Sequence, residues 1–421
     1  MSAVEREITR AETQTRRGWE VRRSKYIWRE VINLSKDGSE QLLSVSQYDG
    51  VRPASEASRS ESLKGYKIVE TGDLVINIML AWMGGLGVSE YDGIVSPAYA
   101  VYKPIAQMEP RFLHYLYRTR RYLADFARHS TGVVPSRWRM YSDDFGQVIT
   151  ELPPLPEQKE IVVYLDAETG RIDKAIAAEE KMIALLQERR EIVINEAVGG
   201  GDLSHAEAQR GRERRGWEVR RLSQVILSLR TGLNPRRFFE LNPDNATNYY
   251  VTIRELRDGK IVFSKDTDRI NDQALSLCKN RSRLEKGDIL FSGTGSIGEV
   301  ALVRESPTNW NIKEGIYALK PNCKRIHTKY LVYVLVSPAF LALARARAVG
   351  TAVRSIPMKD LAILPIPLPP LPEQEAIVER LDRETGKIDR AIEVKQRQIE
   401  LLRERRQIVI DEAVTGKVKV A

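Results

Sequence analysis

Residues 152–158 read Leu-Pro-Pro-Leu-Pro-Glu-Gln, and residues 368–374 repeat these seven letters without a change. The segments that follow are also alike, because residues 152–198 and 368–414 are identical at 30 of 47 positions with a constant offset of 216. A second motif, Arg-Arg-Gly-Trp-Glu-Val-Arg-Arg, stands upstream of each copy at residues 16–23 and 214–221. Solenoid repeats recur every 20–50 residues or so, which is far closer than this spacing. The chain is therefore a two-fold internal repeat in which a variable body precedes a near-constant tail.

The two tails are predicted to be long helices. Pro156 and Pro372 suit the first turn of a helix, and no proline follows in either tail. Apolar residues recur at heptad spacing between charged flanks, which is typical of a coiled coil, although Arg190 and Arg406 interrupt one seam. A helix of about 42 residues would be about 60 Å long.

One polar position in the other seam suggests how the helices pair. Glu179 and Lys395 lie 216 residues apart, near the middle of each tail. If the helices run antiparallel about a local two-fold axis, these opposite charges come close and could fix the register. The alternative is that both side chains extend to water.

The variable bodies are predicted to be mixed α/β. Strands are expected near residues 41–46, 73–78, 249–253, 288–291 and 316–319, and helices near residues 111–127 and 329–348. The predicted fold class is α+β, with two pseudo-symmetric mixed α/β domains separated by two long antiparallel helices that form a coiled coil. The predicted divisions are a first body (1–151), a first helix segment (152–201), a second body (202–367) and a second helix segment (368–421).

Composition favours a polyanionic partner. Lys and Arg number 66 against 57 Asp and Glu, which gives a net charge of +9 over 421 residues. A basic protein without a nucleic-acid partner remains the alternative. Cys278 and Cys323 both lie in the second half, so a reducing cytoplasm is expected rather than a disulfide framework. The N-terminal residues lack an apolar signal segment and no window approaches 18 apolar residues, so no membrane contact is expected.

Arginine and aromatic residues concentrate late in each body. Residues 111–139 hold seven arginines and one acid, Asp125, and residues 340–359 hold four cations and no acid. Arginine pairs with guanine edges and with phosphates, so these groups are a plausible DNA face. The alternative is a solvated helix face above a stripe of aromatic core residues.

Motifs for catalysis are missing from the sequence. It has no phosphate-binding G-x-x-x-x-G-K-[ST] loop, no Asn/Asp-Pro-Pro-aromatic motif of amino-methyltransferases, and no metal-ligand spacing among two cysteines and four histidines. Residues 293–298 match G-x-G-x-x-G, but a strand-like segment follows where a dinucleotide site needs a helix. We interpret this stretch, and residues 82–87 of the first body, as glycine-rich turns between strands.

The order of these segments resembles the specificity subunit of type I restriction–modification enzymes over essentially the whole chain. The resemblance rests on the two Leu-Pro-Pro-Leu-Pro-Glu-Gln tails with Thr-Gly-[Arg/Lys]-Ile-Asp at residues 169–173 and 385–389, on the paired Gly-Trp-Glu-Val-Arg-Arg starts, and on residues 292–300 and 350–356. It implies that each body reads one half of a split double-stranded DNA site, across a coiled-coil spacer. It also implies docking of two methyltransferase subunits, with restriction subunits added for cleavage. The chain itself would be non-catalytic and without a cofactor, since S-adenosylmethionine is expected on the partner methyltransferase.

Candidate site residues follow from the loops and from the resemblance. Those expected to face DNA are Ser46, Gln47, Arg52, Trp82, Met83, Arg137 and Arg139 in the first body, and Arg236, Arg237, Thr252, Arg254, Thr294, Ser296, Thr351 and Arg354 in the second. The tails repeat beyond what a seam requires, so an outward surface including Glu157, Gln158, Glu373 and Gln374 is expected to bind the partner.

Two other classes stay open. A stand-alone methyltransferase or nuclease fused to its own reader would be revealed by a catalytic motif. A coiled-coil DNA-binding scaffold that reads no sequence would bind random and chosen DNA alike.

Overall fold

A computed structural model describes residues 18–47, 50–54, 63–132, 138–199, 217–257 and 259–418. The chain divides into two compact units, of which unit 1 comprises Met1–Glu180 with Arg397–Ala421 and unit 2 comprises Lys181–Gln396. Both divisions fall inside the long helices. Each unit therefore joins one body to part of each helix.

Unit 1 contains a four-stranded antiparallel sheet in the order β2-β9-β6-β7, flanked by the two-stranded pairs β1-β10, β3-β4 and β5-β8. Its elements are β1 Glu20–Arg23, β2 Trp28–Glu30, β3 Leu43–Ser46, β4 Gly50–Pro53, β5 Lys67–Val69, β6 Leu74–Asn77, β7 Leu86–Val88, β8 Gly93–Val95, β9 Tyr99–Pro104, α1 Pro110–Tyr117, α2 Arg120–Arg128, α3 Ser142–Gln147, β10 Ile149–Leu152 and the start of α4 Leu155–Ala197. Short 3-10 turns lie at Ser24–Tyr26 and Ala81–Met83.

Unit 2 repeats this topology, because its four-stranded sheet has the order β12-β20-β17-β18. It adds a three-stranded sheet, β16-β13-β19, whose pair β13-β19 is parallel. Its elements are β11 Glu218–Arg221, α5 Leu222–Val225, β12 Ile226–Thr231, α6 Pro235–Phe238, β13 Asn248–Val251, a 3-10 turn Ile253–Glu255, β14 Leu256–Arg257, β15 Lys260–Ile261, β16 Arg269–Ile270, α7 Asp272–Ser282, β17 Ile289–Ser292, β18 Val300–Leu302, β19 Trp310–Ile312, β20 Ile316–Pro321, α8 Thr328–Val336, α9 Pro338–Ala346, α10 Met358–Ala362, β21 Pro365–Leu368 and the start of α11 Leu371–Val414.

The repeated Trp motifs close each body onto the start of its helix. In β1 and β10, Glu20 lies opposite Leu152 in an antiparallel pair. In β11 and β21, Glu218 lies opposite Leu368 in the same way. The register is therefore the same in both copies. The predicted divisions at residues 152 and 368 fall on the last residue of these closing strands.

The predicted strands and long helices are confirmed, and the shorter helices are each broken in two. All five expected strands are present, as β3, β6, β13, β17 and β20, and α4 and α11 run for 43 and 44 residues. The expected helix 329–348 breaks at Pro338, where Ser337 caps the second piece by accepting from the Phe340 N–H. The expected helix 111–127 breaks after Tyr117 and resumes at Arg120.

Both long helices contribute to the core of each unit. In unit 1, Val162 and Leu165 of α4 share a core cluster with Ile410 and Val414 of α11 and with the body. In unit 2, the cluster instead joins the end of α4, including Ile194 and Val198, to the start of α11, including Val378 and Leu381. In each unit the two helices therefore run antiparallel, as predicted.

Among the described residues no single helix is long and apolar enough to cross a membrane. The bent pair α8 and α9 would qualify only by combined length and composition. Tyr330, Leu331 and Phe340 of this pair are buried in the core of unit 2.

Candidate nucleic-acid interface

The glycine-rich turn of the second body joins two antiparallel strands. Residues 293–299 connect β17 to β18, and Gly295 and Gly298 have φ of 76° and 109°, a left-handed region that favours glycine. The Gly295 N–H donates to the Arg354 carbonyl at 2.9 Å, and the Thr294 hydroxyl lies 2.8 Å from that of Ser355. The turn therefore meets the segment that carries Thr351 and Arg354, and the interpretation of residues 293–298 as a turn is confirmed.

Further loops of the second body lie beside this glycine-rich turn. The Gly293 N–H donates to the Gly315 carbonyl at 2.8 Å, the Glu314 N–H to Leu233 at 3.1 Å, and the Lys313 N–H to Val251 at 2.9 Å. Leu233 precedes α6, and Val251 precedes the 3-10 turn Ile253–Glu255. These bonds therefore place both segments beside the glycine-rich turn. The exposed residues of these loops include Arg236, Arg237, Ser296, Lys313, Arg345, Arg347, Thr351 and Arg354. We define these loops as the second tip.

Thr252 is not placed to contact DNA, which corrects one expectation. Its side chain is buried, donates to Glu255 Oε2 at 2.7 Å and accepts from the Arg254 N–H, so it caps the following 3-10 turn. The Arg254 guanidinium is half-exposed and donates to Asp268 at 2.7 Å. Thr252 therefore serves local structure, whereas Arg254 stays at the surface.

The first body has a corresponding tip of different chemistry. Trp82, in the 3-10 turn, packs edge-on against Trp138 with ring centroids 5.5 Å apart. Thr131 and Arg139 exchange backbone hydrogen bonds of 3.0 and 2.9 Å, which fix the segment that carries Trp138 and Arg139 against Thr131. Exposed apolar side chains, among them Met79, Leu80 and Met83, surround Trp82. Arg137 lies outside the described residues.

A half-buried arginine joins the β3-β4 hairpin to this first tip. The Arg118 guanidinium donates to the carbonyl oxygens of Gly84 at 3.1 Å, Leu86 at 2.8 Å and Gln47 at 2.8 Å. The hairpin that carries Ser46, Gln47 and the exposed Arg52 is thus fixed beside Trp82 and Met83. Arg118 acts here as structural support.

Other arginines of residues 111–139 also bind within unit 1. Arg111 forms a bidentate pair with Asp166 of α4 at 2.7 and 2.8 Å, and Arg121 pairs with Glu151 of β10. Arg128 donates to Asp125 at 2.7 Å. Two of these acids, Asp166 and Glu151, come from segments outside residues 111–139. The expectation of a DNA face across this whole stretch is therefore narrowed, because Arg111 and Arg118 serve the fold of unit 1, whereas the exposed Arg120, Arg121 and Arg128 and the half-buried Arg139 remain candidates.

The glutamines of the repeated tails point inward, which corrects the expected outward surface. Gln158 is 3% exposed, accepts from the Glu109 N–H at 2.8 Å and donates to the Pro153 carbonyl at 2.8 Å. Gln374 is 0% exposed and accepts from the His327 N–H at 2.8 Å in the same manner. Each glutamine therefore ties the helix start to the residue before α1 or α8.

The acids next to these glutamines have different surroundings. Glu373 is exposed and accepts from the Trp217 indole N–H at 3.0 Å. Glu157 is half-buried. Glu373 therefore contacts the tryptophan of the second Trp motif. Because the glutamines are buried and Glu373 is bound within the chain, these residues do not form the expected outward surface.

A second anchor in each copy had not been expected from the sequence. Asp166 accepts from Arg111 and from the Tyr115 hydroxyl at 2.8 Å. Asp382, the repeat equivalent of Asp166, accepts from Lys329 at 2.6 Å and from the Tyr333 hydroxyl at 2.8 Å. The two bodies align here at an offset of 218, so Tyr115 with Tyr333 and Arg111 with Lys329 were a readable signal.

An exposed stripe on each long helix is identical in the two copies. Leu185 and Ile192 of α4 are 50% and 48% exposed, and Leu401 and Ile408 of α11 have the same values. Exposed Glu-Arg pairs lie between them, Glu188 with Arg189 and Glu404 with Arg405. We define these two sets as the α4 stripe and the α11 stripe. Each combines apolar and charged side chains one helical turn apart.

The proposed register pair is divided between the units. Glu179 is half-buried in unit 1, and Lys395 is half-buried in unit 2. Their mutual pairing therefore stays a prediction.

A cavity of about 620 Å³ lies in unit 1 between the first body and the helices. Its lining includes Gln47, His114 and Arg118 from the body, and Asp173, Arg403 and Arg406 from the helices. Burial, and then the nearby charges of Arg118, Arg111 and Arg406, lower the pKa of His114 to about 3. His114 is therefore neutral at physiological pH, and its Nδ1 accepts from the Val88 N–H at 3.2 Å.

Within the described residues no group of three or more His, Cys, Asp or Glu side chains could hold a metal ion. The residues gathered at the two tips include exposed cations, hydroxyls and apolar side chains, and the second tip also carries the exposed acids Glu299 and Glu314. Such groups can bind phosphates and base edges.

Comparison with known proteins agrees with this chemistry. Residues 214–403 match the family model of the type I restriction modification DNA specificity domain. The chain is 26% identical over 275 residues to a putative type I restriction enzyme MjaX specificity subunit of Methanocaldococcus jannaschii, covering 64% of this chain and 59% of that protein. It is 27% identical over 245 residues to the type I restriction enzyme EcoBI specificity subunit of Escherichia coli, covering 55% and 50%. The resemblance inferred from the sequence is thereby confirmed.

A solved structure supports the fold over a longer span. A chain from a study of complex assembly and conformational transition of the type I R-M system aligns with a TM-score of 0.66 and 17% identity, covering 96% of this chain and 100% of that one. This likeness confirms the predicted fold class. The chain spans 50–63% of the length of the curated relatives it matches.

Proposed function

We propose that this chain, which carries a type I restriction–modification DNA specificity domain, reads a bipartite DNA site with one body for each half-site. The observation that carries the proposal is the pair of tips, since one fold occurs twice with different surface chemistry. The second tip gathers exposed arginines with hydroxyl side chains, and the first gathers Trp82, Met83 and Arg139. Two domains that share one fold but present different side chains are suited to two half-sites of different sequence.

The long helices would act as the spacer that sets the gap between the half-sites. A buried glutamine and a Tyr–Asp anchor hold the first body onto α4, and the equivalent glutamine and anchor hold the second body onto α11. A body attached at several points to a helix cannot rotate freely. The length of the helix therefore determines where that body meets the DNA. B-DNA repeats at about 34–36 Å per turn, which makes such a length meaningful for recognition.

The partners follow from the same symmetry. Two methyltransferase subunits would dock on two equivalent surfaces, and the α4 and α11 stripes are the surfaces that support this. Restriction subunits would join the complex for cleavage. Adenine methylation needs S-adenosylmethionine and a flipped base, and this chemistry belongs to the partner rather than to this non-catalytic chain.

A coiled-coil scaffold that binds DNA without reading it is the second candidate. It is favoured by the basic composition alone. It does not account for two tips that differ while the glutamine and Tyr–Asp anchors behind them recur in both copies. A self-contained methyltransferase or nuclease has no motif in the sequence to support it.

Exchange of the first body tests the proposal. Residues 18–151 begin and end beside the β1-β10 pair, so the same span of another specificity subunit can be inserted at matched strands. Methylome sequencing of the source organism, with this gene intact, deleted and exchanged, should show one motif, no motif, and a motif changed in one half only. A change in both halves, or a motif that survives deletion, would contradict the proposal.

A point substitution distinguishes reading from non-specific binding. Arg354 is exposed, and its guanidinium donates to the carbonyl of Arg345 at 3.0 Å within the second tip. Arg354→Ala should cost roughly 1–3 kcal/mol on the cognate duplex if the guanidinium pairs with a base. An equal loss on cognate and random duplexes would assign Arg354 to phosphate contact instead.

A further inference from the structure

We propose that the cavity of unit 1 is a phosphate site for the DNA backbone, in which Arg403 of the spacer helix contacts the duplex beside the first half-site. The inference rests on the proposed function and adds a residue of the helix, rather than of a body, to the DNA contacts. In this proposal the spacer helix both sets the distance between the half-sites and binds the DNA backbone.

The lining of the cavity favours an anion. Arg118, Arg403 and Arg406 face it together with Asp173, so three formal positive charges meet one negative charge among the lining residues. His114 adds a neutral imidazole, because burial and the neighbouring arginines keep it deprotonated. A guanidinium is the side chain best matched to a phosphate oxygen pair.

The position of the cavity links it to the first tip. Gln47 lines the cavity and also lies in the hairpin that Arg118 fixes beside Trp82. A duplex read by that tip would extend over the cavity mouth, where its backbone passes the helix.

Comparison of the two copies shows that the scaffold does not require these charges. The interhelix pair of Arg406 with Asp173 recurs as Arg190 with Asp389, so that pair is common to both units. Arg403, however, corresponds to Gln187, and Gln407 to Glu191, at the offset of 216. Arg403 is therefore a cation that the equivalent helix of the other copy does without.

The cavity wall that the first body contributes is also more polar and more positively charged than its counterpart in the second body. At the offset of 218 set by Tyr115 and Tyr333, Arg118 corresponds to Val336 and His114 to Val332. Polar and cationic groups thus replace apolar ones on the body wall of the first copy, while the helix wall has Arg403 in place of the neutral Gln187.

Arg403 is available to a phosphate. Its side chain is 65% exposed, and its contact with Glu180 at 3.2 Å is a surface ion pair. Such exposed pairs contribute little to stability, so a phosphate can compete for the guanidinium.

The test is the salt dependence of DNA binding by the full chain, measured with a labelled cognate duplex and a random duplex. Arg403→Gln should lower the slope of log Kobs against log salt by about 1, equally on both duplexes, because one released counterion is lost. Arg403→Lys should restore the slope, since it keeps the charge. Arg397→Gln is the matched control, because Arg397 lies on the same helix, is 69% exposed and pairs with Glu400 at 2.6 Å. It should leave the slope unchanged.

Several outcomes would overturn the inference. An unchanged slope in Arg403→Gln, or an equal fall in Arg397→Gln, would remove Arg403 as a phosphate contact. A loss confined to the cognate duplex would make it a base contact. Thermal stabilisation by inorganic pyrophosphate that Arg403→Gln abolishes without changing the DNA slope would assign the cavity to free phosphates. If the wild-type chain itself does not prefer the cognate duplex, the proposed function fails first, which separates the two failures.

Discussion

The Arg406 guanidinium donates to the Asp173 carboxylate at 2.9 Å, and both residues lie in unit 1. Their repeat equivalents, Arg190 and Asp389, form the same pair at 3.0 Å in unit 2. The two residue numbers of each pair add up to 579. From one pair to the other, the residue number therefore rises along one helix and falls by the same amount along the other, as it does in an antiparallel pair of helices. The arginines that interrupt the heptad seam are therefore the residues that bind the opposite helix. Both pairs are exposed, so their contribution is to register more than to stability.

This register leads to a prediction for the spacer. Deletion of residues 178–184 with their repeat match 394–400 removes one heptad from each helix and leaves both Arg–Asp pairs intact. Each helix should shorten by about 10 Å, and the gap in the methylated motif should change while each half keeps its bases. Methylome sequencing would measure the motif.

Deletion of residues 178–184 alone is the control for this experiment. It should disturb assembly, because only one of the paired helices is shortened. A double deletion that leaves the gap unchanged would exclude the spacer role.

The buried glutamines lead to a stability prediction. Gln158→Ala leaves the Glu109 N–H and the Pro153 carbonyl without their partner, and a buried unsatisfied group costs about 1–3 kcal/mol. The free energy of unfolding of unit 1, measured by hydrogen exchange, should fall by this order. Lys159→Ala, at an exposed neighbouring position, should have little effect. A Gln158→Ala chain of normal stability that no longer binds its partner would restore the original assignment of Gln158 to docking.

The helical and strand periods were readable from the sequence because they depend on near neighbours. Heptads and prolines predicted α4 and α11, and the residues after Gly298 were correctly predicted to continue as a strand. Side-chain partners were not readable when they lay far along the chain. Arg111 meets Asp166 across 55 residues, so an apparent excess of cations was in fact paired.

Two errors had different physical origins. Repetition of Gln158 and Gln374 reflects packing against the bodies, and identity between copies cannot distinguish this from contact with a partner. Thr252 could have been identified, because Thr252 and Glu255 have the spacing of a capping box at a turn start. The tips themselves could be anticipated only as glycine turns, since their neighbours come from four separate segments.

His114 leads to a pH prediction. Its pKa is about 3 in the folded chain, against an ordinary value of 6.5, so the unfolded state binds the proton more readily. The stabilisation is complete above pH 6.5 and is lost as the pH falls from 6.5 toward 3, by at most about 1.4 kcal/mol per pH unit.

The variant His114→Asn isolates this effect, because its side-chain oxygen can still accept from the Val88 N–H. The difference in unfolding free energy between wild type and variant should be constant above pH 7 and shrink between pH 6.5 and 5. Chemical denaturation at each pH would measure it. A difference that stays constant down to pH 5 would show that His114 is not held neutral by its surroundings.

The last prediction concerns the partner. Leu185 and Leu401 are equally exposed at equivalent positions, although a solvated leucine gains nothing from being kept in both copies. Burial of these side chains under two copies of one partner would explain the identity. Leu185→Glu alone should leave one partner bound per chain, and Leu185→Glu with Leu401→Glu should leave none, while the chain stays folded. Size-exclusion chromatography with light scattering on the co-expressed proteins would count the partners. Val163→Glu is the matched control, because Val163 is 69% exposed on α4 and its equivalent is already Glu379. Two partners on the double variant, or a lost partner on the control, would place the docking surface elsewhere.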